Sequence, residues 1–132
     1  MSEPLVMGFD YGTSRIGVAV GQGLTGTATP LGVIAVRNGA PDWNRIENLV
    51  REWQPSLFIV GLPLNMDGTD SEMSRHASRF ARQLQGRFNI DAATMDERLT
   101  TREARELMED GEAVDALAAK LIVESWLREE KT

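Results

Sequence analysis

Cysteine is absent from the 132 residues, and histidine occurs once, as His76. The first absence excludes disulfides, thiolate zinc sites and a cysteine nucleophile, and it fits a reducing cytosol. The second excludes multi-histidine metal sites. A metal bound here must be held by oxygen ligands, which points to Mg²⁺ or Mn²⁺. No apolar run approaches the roughly 18–20 residues of a membrane span, so no membrane partner is expected. The opening Met1-Ser2-Glu3-Pro4 lacks the basic stretch of a signal peptide. The net charge of −6 argues against a nonspecific nucleic-acid coat. Its distribution matters more than its sum: 12 of the 14 basic residues are arginine, the side chain suited to bidentate phosphate recognition.

What is present is the composition of one globular domain, residues 1–132, with 42% hydrophobic and 26% charged residues. Leu5–Phe9 and Ile16–Val20 read as two strands joined by the turn Gly12-Thr13-Ser14, and Leu31–Val36 as a third, which suggests an antiparallel meander. Asp42 is an N-cap candidate for a helix over 43–53, with Trp43, Ile46, Leu49, Val50 and Trp53 at helical spacing. Leu57-Phe58-Ile59-Val60 is apolar without alternation, the pattern of a strand covered on both faces. A long loop, 61–70, follows it. A second helix over 71–85 carries an apolar stripe of Met73, Ala77, Phe80, Ala81 and Leu84 and a basic stripe of Arg75, Arg79 and Arg82. His76 is a helix-surface residue. Ile90–Met95 is a weaker strand that leads into Asp96-Glu97-Arg98. Thr100 with Glu103 forms a capping box that starts a helix near 101, and the last helix runs from Val114 to Glu129.

This order predicts an α/β protein with a five-stranded mixed sheet, strand order 3-2-1-4-5, flanked by helices, its crossovers right-handed. Asp10 ends the first strand, Glu97 follows the fifth, and Asp115 opens the last helix. If strands one, four and five are parallel neighbours, the three carboxylates converge at one edge. A divalent cation would answer their mutual repulsion. Simpler readings stand beside this one. On these, Asp10 caps its own turn, Asp115 only favours the positive end of its helix, and the arginine stripes are solvated surface.

Four motifs sharpen the choice. They are Phe9-Asp10-Tyr11-Gly12-Thr13 with Ile16–Val20, Val60 to Thr69, Asp96-Glu97-Arg98-Leu99-Thr100-Thr101 with Ala104, and Val114–Ala119 with Leu121-Ile122-Val123. Together, and in this order, they resemble the YqgF (RuvX) family of Holliday-junction-resolvase-like nucleases, which have the RNase H-like fold. The resemblance covers almost the whole chain. It implies a bacterial cytoplasmic protein, a hydrolase of phosphodiester bonds that processes the 5′ end of pre-16S rRNA in ribosome biogenesis. It also implies that Asp10, Glu97 and Asp115 are the catalytic residues and the ligands of one or two Mg²⁺ or Mn²⁺ ions. Arg98, Arg102 and Arg105, with Thr13 and Asn65, are the candidate substrate-binding residues, and Asp96 a supporting acid. One departure is the segment Glu109–Ala113, short and acidic where the family has a longer loop with glycine and lysine.

Three functions follow from this reading. The first is a metal-dependent nuclease acting on RNA. The second is a Holliday-junction-resolving endonuclease acting on branched DNA, as a homodimer rather than a monomer because two symmetric cuts need two sites. The third is a noncatalytic ribosome-assembly factor that binds RNA or protein. A D-x-G-T element also occurs in the phosphate loop of actin-like and sugar-kinase ATPases, but those need two such domains, and this chain is too short for both.

Overall fold

The structure, a computed structural model, describes residues 5–23, 25–97 and 111–130. Its elements are β1 (Leu5–Tyr11), β2 (Arg15–Gln22), β3 (Thr27–Arg37), β4 (Ala40–Pro41), α1 (Trp43–Trp53), β5 (Leu57–Leu62), α2 (Glu72–Phe88), β6 (Ala92–Asp96) and α3 (Gly111–Glu130). The helix expected from residue 101, with its Thr100–Glu103 capping box, lies outside the described residues.

The sheet corrects the expectation of five strands in the order 3-2-1-4-5. It has six, in the order β4-β3-β2-β1-β5-β6. The added strand is Ala40–Pro41, which pairs antiparallel with Val36 and Arg37. Asn38 and Gly39 look like a simple break in the sequence. Both adopt positive φ, 52° and 77°, the conformation of a tight hairpin turn that sends the chain back along β3. Pro41 has no amide hydrogen to give a further strand, which suits it to this edge. β3 also begins earlier than its apolar core suggests. The polar Thr27–Pro30 pairs with β2 beyond a register shift at Val18/Ala19.

β1 pairs antiparallel with β2 and parallel with β5, and β5 pairs parallel with β6. Alternate residues of a strand face opposite sides, and the burial follows that rule. Met7, Phe9, Phe58 and Val60 pack with Ile46 of α1 and with Ala77, Phe80 and Leu84 of α2. Val6, Ala19, Ile59 and Met95 pack with Ala119, Ile122 and Val123 of α3. The sheet is therefore a middle layer, with α1 and α2 on one face and α3 on the other. β5 is covered on both, which is why its sequence does not alternate.

Caps fix the helix starts. Asp42 accepts the Arg45 amide at 3.3 Å and opens α1. Ser71 and Ser74 form a reciprocal capping box at α2, and the Ser71 hydroxyl also donates to the Pro63 carbonyl at 2.6 Å. That bond ties the loop after β5 to the start of α2.

Candidate active site

Pleat alternation decides which side chains can meet. Asp10 follows Val6 and Gly8 onto the α3 face of β1. Glu97 follows Ala93 and Met95 onto the same face from β6, and both acids are 3% exposed. Asp10 pairs with Gly17 on β2. A Cβ at Gly17 would overlap the backbone carbonyl of Asp115, so the glycine lets α3 settle directly on the strand beside Asp10. On the other side, Asp10 and Gly61 each lie one residue beyond the Phe9–Val60 pair. A Cβ at Gly61 would lie 2.5 Å from Glu97 Cγ and 2.6 Å from Ile122 Cδ1. The Glu97 side chain thus crosses β5 over Gly61 toward β1. Gly17 and Gly61, the two positions that flank Asp10 on the neighbouring strands, leave room for the Asp115 backbone on one side and the Glu97 side chain on the other.

Glu97 and Asp115 line an open cleft of about 270 Å³ with the Tyr11–Arg15 turn, Pro63 and Met73. Burial pushes the Tyr11 phenol above its ordinary value, and Arg79 pulls it partly back. Thr13 stands exposed on the turn. Asn65 lies in the loop after β5 and binds that loop together: its amide donates to Thr69 Oγ1 at 3.1 Å and to the Asp70 carbonyl at 3.2 Å. Arg98, Arg102 and Arg105 lie outside the described residues. The segment Glu109–Ala113 overlaps α3, which begins at Gly111 rather than Val114.

Sequence reasoning missed Arg15. Its Nε stands 2.8 Å from Asp115 Oδ2, so the set of acids includes a cation. The signal was available, since Arg15 shares its parity on β2 with Gly17 and Ala19 and so faces α3. The donor set itself suits a hard divalent cation: two buried carboxylates and a part-exposed third, with no cysteine and no histidine from these strands. Among the described residues, no three acids or histidines are grouped closely enough to hold a metal ion. In this conformation Asp115 is turned to Arg15. The donor chemistry fits Mg²⁺ or Mn²⁺, while a closed three-ligand cage is not formed.

A mixed sheet with its antiparallel strands first and its parallel strands after, covered by helices on both faces, is the architecture of the RNase H-like fold. Thermus thermophilus RuvC in complex with a Holliday junction substrate has this fold, with a TM-score of 0.60 and 12% identity over 97% of this chain and 96% of that one. A second structure of RuvC from Thermus thermophilus gives a TM-score of 0.58 at 11% identity, over 96% of both chains. At that identity the likeness is one of fold. Sequence narrows it further. A family model described as "RuvX: Holliday junction resolvase" matches residues 4–129. A relative from Azotobacter vinelandii, called "Putative pre-16S rRNA nuclease", is 57% identical over 98% of this chain and 97% of its own. One of the same name from Pseudomonas aeruginosa is 56% identical over 95% and 92%. The chain belongs to the RuvX family.

Proposed function

We propose that this protein is a cytoplasmic, divalent-cation-dependent nuclease that processes the 5′ end of pre-16S rRNA, with Asp10, Glu97 and Asp115 as its catalytic acids. The observation that supports the reading is that the Asp115 backbone and the Glu97 side chain lie against Gly17 and Gly61, the two positions that flank Asp10. The names of the close relatives supply the substrate class.

Hydrolysis adds water across one P–O bond of the chain and leaves a 3′ hydroxyl and a 5′ phosphate. Asp10, Glu97 and Asp115 would hold Mg²⁺ or Mn²⁺, which when bound activates water and neutralises the phosphate. Asp10 is placed by the central strand and shielded from bulk water, so its position is fixed before substrate arrives. Glu97 and Asp115 face the cleft that admits the scissile phosphate. Arg15, on the cleft wall, would donate to a phosphate oxygen if it leaves Asp115. Thr13, Arg98, Arg102 and Arg105 serve as further substrate contacts, and Asn65 acts through the loop it holds.

The test is cleavage of labelled pre-16S rRNA fragments and of synthetic four-way DNA junctions with Mg²⁺, Mn²⁺ or EDTA. Metal-dependent cutting of the RNA is the expected result. Cutting of the junction alone would make this a resolvase. RNA binding with no cutting under any metal would make it an assembly factor.

A further inference from the structure

The outer face of α2 is a basic surface on an acidic protein. The chain's net charge is −6, yet the 17 residues of α2 carry four arginines and a single acid, Glu72. Arg75, Arg79 and Arg82 recur at i, i+4 and i+7 and are all exposed, opposite the buried Ala77, Phe80 and Leu84. That spacing confines them to one narrow stripe about 10 Å long. The fourth arginine, Arg87, is used otherwise: its guanidinium lies 4.1 Å from the centre of the Trp43 ring. Among the described residues the three stripe arginines form no ion pair.

The helix that carries the stripe borders two openings. At its N-terminal end, Met73, on the side away from the stripe, and Tyr11 line the cleft of the candidate active site. Arg79 acts electrostatically on Tyr11, whose ring packs 5.3 Å from that of Phe80. At the other, Arg82 borders an open groove of about 610 Å³ between α2 and β6, lined also by Ser78, Gln85, Asn89 and Thr94. Its walls are rich in hydroxyl and amide groups, the kind that pair with base edges. A row one side chain wide matches one phosphate backbone, and the stripe itself offers charge rather than a stacking platform to hold it.

We propose that α2 is the track for the single-stranded RNA substrate, with successive phosphates on Arg75, Arg79 and Arg82 and a neighbouring base in the groove against β6. The proposal rests on the nuclease reading above and says which surface delivers the strand to the cleft.

The test is the salt dependence of binding, by fluorescence anisotropy with a short labelled single-stranded RNA in EDTA. The proteins are the wild type, Arg75→Ala/Arg79→Ala/Arg82→Ala and the matching triple lysine variant. Three lost contacts at about 0.7 each should flatten the slope of log affinity against log salt by about 2 in the alanine variant. Its melting temperature should not change, and lysine should restore the slope. An equal slope for wild type and alanine variant, both binding RNA, would overturn the track and leave the nuclease reading intact. So would a lysine variant that stays flat. A wild type that neither binds the RNA nor cleaves it with Mn²⁺ would remove both. A variant that loses affinity for a four-way DNA junction while holding RNA as before would overturn the assignment to RNA.

Discussion

Arg15 Nε lies 2.8 Å from Asp115 Oδ2, across the seam where the start of β2 meets the first turns of α3. The pair is part-exposed, at 44% and 20% for the two side chains. Ion pairs in such settings contribute about 0.2–1 kcal/mol. Arg15→Gln should therefore cost at most about 1 kcal/mol in urea unfolding. The same change removes a positive charge that competes for a carboxylate of the candidate metal set, so Mn²⁺ should bind several-fold more tightly by calorimetry. A large loss of stability with unchanged Mn²⁺ affinity would make the pair a structural clamp instead.

Gly17 and Gly61 open the same space but should fail differently. A Cβ at Gly17 meets the backbone of Asp115 and Ala116, which cannot rotate away. Gly17→Ala should displace α3 and cost stability at or above the top of the usual range of about 1–3 kcal/mol for overpacking. A Cβ at Gly61 meets only side chains, Glu97 at 2.5 and 2.8 Å and the tip of Ile122 at 2.6 Å. Side chains can rotate where a backbone cannot, and the one displaced farthest is Glu97, so Gly61→Ala should cost less stability and more cleavage. Urea titration and single-turnover cleavage of the two variants, side by side, check this. Equal ratios of stability loss to activity loss would contradict it.

How far the sequence could be read depended on whether its signals were local. The unbroken apolar run at Leu57–Val60 announced a doubly covered strand because burial on both faces leaves its mark on every residue. Asp42 announced the start of α1 because a cap needs only its own neighbours. β4 gave no such mark: two residues are too few for a pattern, and Asn38-Gly39 reads as a break whether or not the chain pairs with itself afterwards. Thr27–Pro30 reads in sequence as a polar connection, because its two threonines and its proline hide a backbone that pairs with β2. The site was legible only conditionally. Asp10, Glu97 and Asp115 are far apart in sequence, and their approach depends on which strands are neighbours. The Arg15–Asp115 pair depends in addition on the register of β1 with β2 and on the glycine that admits α3.

Tyr11 offers a pH test of the cleft. Burial raises its pKa above the ordinary value of 10.0, and Arg79 offsets part of the rise. The fold therefore favours the neutral phenol. Stability from that preference is complete below the unfolded value and is lost as pH rises through the folded one. Tyr11→Phe cannot ionise, so its stability should fall less than that of the wild type above about pH 10. Denaturant unfolding at stepped alkaline pH measures the difference. Identical pH dependence in both proteins would show that burial does not hold the phenol neutral.

The sharpest chemical prediction concerns Asp10. Asp10→Asn keeps the shape of the side chain and removes its charge. Asp10 is buried with Glu97 on the same face, and like charges in a poorly solvated space raise each other's cost. Without metal, the variant should therefore melt at the same temperature as the wild type or higher. With Mn²⁺ the order should reverse, because the wild type gains binding energy that the variant loses. Cleavage of the RNA should fall by at least about a hundredfold, the scale on which a single preorganised charge acts in a transition state. Three measurements separate the possibilities: melting in EDTA, melting with Mn²⁺, and single-turnover cleavage. Cleavage at the wild-type rate would remove Asp10 from the chemistry. A variant that melts far lower in EDTA would make Asp10 a structural residue that stabilises the end of β1, and the burial of its carboxylate would then belong to the fold rather than to the reaction.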